Sequence, residues 1–134
     1  MDMAALIKEA VAAREHAYAP YSGFMVGAAL LGLSGKLYRG CNVENAAFGP
    51  ANCAERTAFF KAVSEGERHF TAIAVAGWPK GGAPGFAYPC GVCRQVMMEF
   101  CGPDFKIVTA KSTKKYMAHT LGELFPNGFG PASL

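Results

Sequence analysis

The stretch that decides the fold is Cys53-Ala54-Glu55, and it has a partner further along the chain in Pro89-Cys90-Gly91-Val92-Cys93. Together the two stretches supply three cysteines, and cysteine thiolates are common zinc ligands. A structural zinc normally has four protein ligands, whereas a catalytic zinc has three and keeps one position open for water or substrate. A glutamate two positions after a ligand can move the protons of that water. The pattern therefore predicts a catalytic zinc on Cys53, Cys90 and Cys93, with Glu55 as the catalytic residue.

Both stretches are expected to begin helices. One helix is predicted from Cys53 to Glu65, where Gly66 ends it, and another over 91–101, where Gly102 and Pro103 end it. Free amide groups and the positive end of the helix dipole stabilise an anion at an exposed helix start by about 0.3–1 kcal/mol. Helix starts also lower the pKa of a thiol, so this placement favours the thiolate form that binds metal.

The rest of the chain alternates between segments typical of helices and of strands. Hydrophobic spacing and turn residues predict these elements: a helix over 3–17 after Asp2, strands over 24–33 and 36–43 joined at Ser34-Gly35, strands over 71–78, 105–110 and 116–119, and a short last helix begun by a Thr120–Glu123 capping box. A loop rich in glycine and proline, 79–88, leads to the second cysteine stretch. This order predicts a layered α/β fold, as a single domain over residues 1–134.

Composition and charge narrow the class of partner. Hydrophobic residues make up 51 % of the 134 residues, and the formal net charge is only +3. The densest basic group is Lys111, Lys114 and Lys115, which is typical of a solvated loop or an edge strand rather than of a nucleic-acid-binding surface. No apolar stretch is long enough to span a membrane. We therefore expect neither a nucleic acid nor a membrane as partner.

The beginning of the chain and the odd number of cysteines predict a cytoplasmic protein. Lys8, Glu9, Arg14 and Glu15 interrupt the early apolar residues, so no signal peptide is expected. In a reducing cytosol, a pair of cysteines separated by two residues indicates metal binding or redox chemistry rather than a structural disulfide.

The cysteines allow two other interpretations. Cys90 and Cys93 taken alone fit a redox pair, although Cys53 then has no role. A four-ligand structural zinc would need one more cysteine, but Cys101 lies about 12 Å further along the same predicted helix, at 1.5 Å per residue. Cys41 and Cys101 are expected to be small buried hydrophobic residues.

Three residues near the cysteines have structural as well as functional interpretations. Glu55 also fits a capping box in which Asn52 is the cap. Arg56 is either an ordinary surface residue or a donor to the ligand sulfurs. Three thiolates around Zn²⁺ leave a formal charge of −1, and a guanidinium would offset that charge. Gln95, two residues after Cys93, is a further candidate for a polar contact beside the metal ligands.

Asn42 and Glu44 end a predicted strand and share one of its faces, because side chains alternate with period two. Together they offer hydrogen-bond donors and acceptors suited to vicinal hydroxyl groups. Asn42 and Asn45 are also typical turn formers, which explains both asparagines without a function.

These residues taken together resemble the cytidine deaminases, in their small, all-cysteine, homotetrameric form. The resemblance covers nearly the whole chain. Its motifs are Ala17-Tyr18-Ala19-Pro20-Tyr21-Ser22, Phe24 with Val26-Gly27-Ala28-Ala29, Gly40-Cys41-Asn42-Val43-Glu44-Asn45-Ala46, Cys53-Ala54-Glu55-Arg56-Thr57-Ala58, Pro89-Cys90-Gly91 with Cys93-Arg94-Gln95-Val96, and Phe129-Gly130-Pro131.

The resemblance implies a three-layer α/β/α fold with a mixed five-stranded sheet, Zn²⁺ on the three cysteines, and Glu55 as the proton carrier. The implied reaction is the hydrolytic deamination of cytidine and 2′-deoxycytidine to uridine and 2′-deoxyuridine, in pyrimidine salvage. Five residues are implied to contact the nucleoside: Phe24, Asn42, Glu44, Ala54 and, from a neighbouring subunit, Phe129.

Three other functions use similar residues. A deaminase of nucleic acids is disfavoured by the short chain and the low net charge. A deaminase of a nucleoside antibiotic such as blasticidin S would use the same zinc chemistry, but the Asn42 and Glu44 pair favours a ribose. A non-catalytic, zinc-stabilised binding module would need neither Glu55 nor an open ligand position.

Overall fold

Helices and strands alternate along the chain as the sequence predicts. The computed structural model describes all of residues 1–134. The helices are α1 (Met3–Arg14), α2 (Ala54–Ser64), α3 (Gly91–Phe100) and α4 (Leu121–Leu124), followed by a 3₁₀ turn over Pro131–Ser133. The strands are β1 (Phe24–Gly32), β2 (Leu37–Cys41), β3 (Phe70–Pro79), β4 (Lys106–Ala110) and β5 (Tyr116–Thr120).

The strands form one mixed sheet in the order β2-β1-β3-β4-β5. Strand β1 runs antiparallel to both β2 and β3, and β5 runs antiparallel to β4. Strands β3 and β4 are parallel, and α3 lies between them in the chain as their crossover helix. The predicted mixed five-stranded sheet is therefore confirmed.

Helices cover both faces of the sheet, because neighbouring residues of each strand point in opposite directions. Ala29 of β1 belongs to an apolar cluster with Ile7 of α1. Leu30, the next residue, belongs to a second cluster with Phe59 of α2 and Met97 of α3. The architecture is thus three layers, with α1 on one side of the sheet and α2 and α3 on the other.

The ends of two predicted elements differ from the structure. Helix α1 ends at Arg14 rather than at residue 17, because the amides of His16 and Ala17 bond to carbonyls three residues back in a tight turn. Strand β2 ends at Cys41 rather than at Val43, which instead makes two isolated bridges, to Tyr18 and to Asn52.

The start of α2 does not contain the capping box that Glu55 and Asn52 could have formed. Cys53 is the N-cap residue of α2, and its side chain makes no capping hydrogen bond. Asn52 instead donates from its amide to Thr57 Oγ1 at 3.2 Å. Since the third helical position is then Arg56, the capping-box interpretation of Glu55 with Asn52 is wrong.

A close approach of two backbones fixes α2 against the sheet at Gly40 of β2. A Cβ atom there would lie 2.3 Å from the Ala54 carbonyl oxygen and 2.6 Å from the Ala58 amide nitrogen. Only glycine leaves room for the first turn of α2 to rest on β2. That first turn carries Cys53 and Glu55, so Gly40 places both residues relative to the sheet.

The basic group lies in a solvated turn, as predicted. Lys114 and Lys115 are exposed in the turn that joins β4 to β5, and the Lys111 amide closes this turn on the Lys115 carbonyl. The predicted capping box of the last helix is also present, with both hydrogen bonds between Thr120 and Glu123. None of the helices has the length and hydrophobicity that crossing a membrane requires.

Candidate active site

The three predicted ligands converge where α2 and α3 begin. Cys53 is the N-cap of α2, Cys90 is the N-cap of α3, and Cys93 lies in the first turn of α3. Their sulfur atoms all lie within 4.8 Å of one another. The Sγ atoms of Cys53 and Cys90 are 3.8 Å apart, and those of Cys90 and Cys93 are 3.4 Å apart.

This spacing fits a zinc ion. Sulfur atoms on a tetrahedral zinc, with Zn–S bonds of about 2.3 Å, lie about 3.8 Å from one another. Cys53 and Cys93 face into the protein, being half-buried and buried, while Cys90 is exposed. The three residues can therefore hold a zinc ion with three protein ligands, and no fourth cysteine, histidine or carboxylate belongs to the group.

The electrostatics of the cluster favour at least one thiolate. A hydrogen bond from the Cys93 thiol lowers the pKa of Cys53 to about 5, and the hydrogen bond from Arg56 acts in the same direction. The same shared proton raises the pKa of Cys93. A metal ion that binds these sulfurs must displace such protons, so zinc binding here is coupled to pH.

Two arginines hold the cysteine segments. Arg56 Nη2 donates to Cys53 Sγ at 3.2 Å, which is the contact that the sequence suggested for this residue. Arg94 Nε donates to the Pro89 carbonyl at 2.7 Å, and its guanidinium also donates to the Leu124 carbonyl. Arg94 thereby fixes the turn before Cys90, a role that the sequence analysis did not identify.

Glu55 is buried beside the cysteine cluster. Only 5 % of its surface is exposed, and its carboxylate forms no salt bridge. Burial raises the pKa of Glu55 to about 7, and the nearby Cys53 thiolate adds to this effect. A carboxyl group with a pKa near neutrality both accepts and donates protons readily under physiological conditions.

A cavity of about 390 Å³ opens beside the cluster. That volume lies within the range of small-molecule sites. The predicted site residues that line this cavity are Phe24, Asn42, Glu44, Cys53, Ala54, Glu55, Arg56 and Cys90. The sequence analysis missed further lining residues, among them Ser22, Phe48, Val75 and Tyr88.

Asn42 uses its side chain to extend the sheet into the cavity wall. Its Oδ1 accepts from the Val26 amide and its Nδ2 donates to the Phe24 carbonyl, both at 2.8 Å. These two hydrogen bonds continue the pairing with β1 beyond Cys41, where β2 ends. The turn interpretation holds for Asn45, whose Oδ1 accepts from the Ala47 amide at 3.0 Å.

Glu44 is held as a carboxylate at the rim of the cavity. It accepts from the amides of Tyr21 and Ser22 at 3.0 and 3.1 Å, and from the Ser22 hydroxyl. The hydroxyl contact is the main reason why the pKa of Glu44 is lowered. Ser22 ends one of the family motifs, at residues 17–22. No local sequence pattern predicts its contact with Glu44, because 22 residues separate the two.

Both the sequence and the fold of this chain match known proteins. The family model for the cytidine and deoxycytidylate deaminase zinc-binding region matches residues 2–109. The chain belongs to this family. It is 52 % identical to the cytidine deaminase of Halalkalibacterium halodurans, over 96 % of this chain and 95 % of the relative. It is 47 % identical to the cytidine deaminase of Sporosarcina psychrophila, over 100 % of this chain and 96 % of the relative.

Solved structures of the family share the fold. The crystal structure of cytidine deaminase from Burkholderia pseudomallei superposes with a TM-score of 0.88 at 49 % identity, covering 96 % of this chain and 100 % of that chain. The enzyme from Mycobacterium tuberculosis gives a TM-score of 0.82 at 36 % identity, covering 97 % and 98 %. The resemblance noted in the sequence, and the fold it implies, are therefore confirmed.

Apart from the predicted ligand Cys93, two predicted site residues, Gln95 and Phe129, do not line the cavity. Gln95 makes no hydrogen bond to a cysteine sulfur; its Nε2 donates to the Phe129 carbonyl at 2.8 Å, so its expected position beside the metal ligands is wrong. Phe129 is 59 % exposed and does not line the cavity of its own chain. The tail and α3 are further joined at Gly130, where a Cβ atom would lie 2.8 Å from Met98 Cγ.

Cys41 and Cys101 stand apart from the metal cluster. Both were predicted to be buried, and the structure shows both to be half-buried. Burial raises the pKa of Cys41, and it raises the pKa of Cys101 to about 12. Neither sulfur belongs to the metal cluster. Because their pKa values are raised, both residues are neutral thiols.

We expect about one zinc ion per chain, which is lost when Cys53, Cys90 or Cys93 is replaced by alanine. Each substitution leaves only two thiolates, and removal of a ligand abolishes the three-sulfur site. Metal analysis of the purified variants measures the zinc content. Cys41→Ala and Cys101→Ala are the matched controls and should keep full zinc. Full zinc occupancy in Cys53→Ala would contradict the assignment.

Proposed function

We propose that residues 1–134 form one catalytic domain that deaminates cytidine and 2′-deoxycytidine by hydrolysis, giving uridine or 2′-deoxyuridine and ammonia in pyrimidine salvage. The observation that carries this proposal is Glu55, a buried carboxyl group without a salt bridge that lines the same cavity as Cys53 and Cys90 of the three-cysteine cluster. The cytidine deaminases at up to 52 % identity over nearly their full length support the choice of substrate.

Glu55 moves the protons of the reaction. When bound to the three cysteines, zinc supplies the Lewis acidity that activates a water molecule for attack. Glu55 takes one proton from that water and gives it to the ring nitrogen next to the carbon that carries the amino group. As the water oxygen bonds to this carbon, the carbon becomes tetrahedral. Glu55 then passes the second water proton to the amino group, which leaves as ammonia when the carbon–nitrogen bond breaks.

Arg56 compensates the charge of the metal site. Its guanidinium lies 3.2 Å from the Cys53 sulfur, where it withdraws electron density from a ligand. Three thiolates leave the zinc site with a formal charge of −1, which opposes the loss of a proton from water. A hydrogen bond to a ligand sulfur offsets part of that charge.

Asn42, Glu44 and Phe24 orient the nucleoside. Glu44 is an ionised acceptor at the cavity rim, because the contact with Ser22 lowers its pKa, and a charged acceptor binds a ribose hydroxyl more strongly than a neutral one does. The Asn42 amide keeps one unused hydrogen and one lone pair for the neighbouring hydroxyl. Phe24 gives the sugar and base an apolar wall, and the backbone at Ala54 contacts the base.

The exposed Phe129 ring supports a second copy of this chain as partner. The ring lies outside its own cavity, while Phe48 at the cavity mouth is 93 % exposed. We propose a cytoplasmic homotetramer in which Phe129 of one subunit covers the nucleoside of its neighbour. Gln95 supports this arrangement by holding the Phe129 backbone. The five cysteines, all without disulfides, fit a reducing compartment.

Glu55→Gln is expected to keep zinc and the fold but to lose roughly 10²–10⁴-fold or more in kcat on cytidine, because the amide has the shape of the carboxyl group but neither accepts nor releases a proton near neutral pH. Ultraviolet absorbance follows turnover of cytidine, 2′-deoxycytidine, cytosine and blasticidin S by the wild type and the variant. Glu99→Gln, an exposed residue of α3, is the matched control and should retain full activity.

Two outcomes of this assay contradict the proposal. A wild-type protein loaded with zinc that converts none of the nucleosides would refute the function itself. Activity of Glu55→Gln within a factor of about three of the wild type would remove the proton-carrier role, given the usual size of acid–base catalysis.

Phe129→Ala is expected to raise the KM for cytidine and to weaken the tetramer, with zinc retained. Aromatic stacking on the base contributes about 0.5–1.5 kcal/mol beyond the buried area, which corresponds to a KM increase of roughly 2- to 13-fold. Light scattering and steady-state kinetics on the same samples measure both effects. Leu33→Ala, an exposed apolar residue in the turn between β1 and β2, is the control. A fully active monomeric wild type would rule out the shared site.

A further inference from the structure

Arg14, at the end of α1, is a buried charged residue without an equally buried counter-ion. Only 6 % of its surface is exposed. Its salt bridge with Glu15, at 3.2 Å, involves a side chain that is 68 % exposed. Because burying a charge costs free energy unless hydrogen bonds compensate for it, the contacts that hold this guanidinium identify what it does.

The guanidinium of Arg14 joins two strands at their ends. Its Nε donates to the Met25 carbonyl at 3.1 Å, near the start of β1. Its Nη2 donates to the carbonyls of Trp78 at 2.8 Å and Pro79 at 3.2 Å, at the end of β3. The guanidinium carbon also lies 4.3 Å from the centre of the Trp78 ring, within the range of a cation–π contact.

Both strand ends continue into the wall of the nucleoside cavity. Phe24 and Val26, the neighbours of Met25, line the cavity. The loop that follows Pro79 returns to the cavity through Ala87 and Tyr88. Arg14 itself does not line the cavity, so any effect on the substrate passes through these segments.

The segment of β1 over 24–26 is fixed from both of its edges. Successive carbonyls of a strand point in opposite directions within the sheet. Arg14 binds the Met25 carbonyl, while Asn42 binds the Phe24 carbonyl and the Val26 amide. A further hydrogen bond, from the Lys80 amide to the Gly23 carbonyl at 2.7 Å, ties the same segment to the loop after β3.

We propose that Arg14 is a positioning residue for nucleoside binding: its guanidinium fixes the start of β1 and the loop over 80–88 so that Phe24 and Tyr88 stand at the correct distance across the cavity. The planar guanidinium donates to three carbonyls in fixed directions, which the single ammonium group of lysine does not reproduce. The kinetic test of this inference rests on the proposed function, whereas the hydrogen-exchange test rests on the structure alone.

The test uses Arg14→Lys, with Arg14→Met as a stronger variant, in the zinc-loaded full chain. Arg14→Lys should raise the KM for cytidine about tenfold with kcat changed less than threefold, because it disturbs two walls that bind the nucleoside and leaves Glu55 and the cysteines in place. The affinity for uridine, measured by calorimetry, should fall by the same factor as KM rises. Zinc content should not change.

Two controls separate positioning from general stability. Ile7→Val removes one methylene group from the core face of the same helix, where Ile7 is fully buried. It should lower the melting temperature without raising KM. Arg68→Lys changes another arginine that donates to backbone carbonyls, those of Val63 and Glu67, away from the cavity, and should leave KM unchanged.

Hydrogen exchange measured by mass spectrometry gives the readout that does not need activity. In Arg14→Lys, the amides over 24–26 and 80–88 should exchange several-fold faster than in the wild type, while those of α2 and α3 keep their rates. Trp78 is the only tryptophan, so its emission should also shift in the Arg14 variants and stay constant in Arg68→Lys.

The outcomes are distinguishable. If Arg14→Lys keeps the wild-type KM, or if its exchange rates rise uniformly over the whole chain, Arg14 has only a structural role and the inference is wrong. If the wild type does not turn over cytidine, the proposed function fails, and the exchange rates alone decide whether Arg14 holds the two segments. If Arg14→Met does not fold, Arg14→Lys still decides.

Discussion

The whole structure depends on holding three cysteine sulfurs within 4.8 Å of one another. Two unit charges 4 Å apart repel by about 4 kcal/mol at an effective dielectric constant of 20, so three thiolates at this distance need protons or a cation between them. The pKa of Cys53 is lowered and that of Cys93 is raised, because the two sulfurs share one proton and so avoid two negative charges at close distance. A divalent ion removes the conflict, which couples zinc binding to the stability of the two helix starts.

The fold supplies the rigidity that this cluster needs. Gly40 lets the first turn of α2 rest directly on β2, and Arg94 holds the turn that leads into α3. Glu55 shares the first turn of α2 with Cys53 and is buried, so its carboxyl group has little freedom relative to the metal site. The part of the cavity wall at the start of β1 is also held by side chains, with Asn42 on one edge of the strand and Arg14 on the other. Such support of a site by fixed neighbours is what efficient catalysis requires.

Most of the fold and the metal site could be predicted from the sequence because their signals are local. Helix starts, turn glycines and the Cys53 and Cys90–Cys93 spacing each occupy a few adjacent residues, and the structure places them as predicted. The contacts of Gln95 and Arg14 could not be predicted in this way. Gln95 was assigned beside the metal by its distance from Cys93 in sequence, but its amide reaches the tail at Phe129. Arg14 contacts carbonyls 64 and 65 residues away, and carbonyls carry no sequence signal.

X-ray absorption at the zinc edge of the purified, zinc-loaded protein tests the central claim most directly, since the claim is a metal site with three protein ligands and one open position. The account predicts three sulfur atoms at about 2.3 Å and one oxygen or nitrogen atom at about 2.0–2.2 Å from the zinc. Addition of a nucleoside should alter the light-atom distance and leave the sulfur shell unchanged. A shell of four sulfur atoms would contradict the account, because it would describe a closed structural zinc with no position for catalysis.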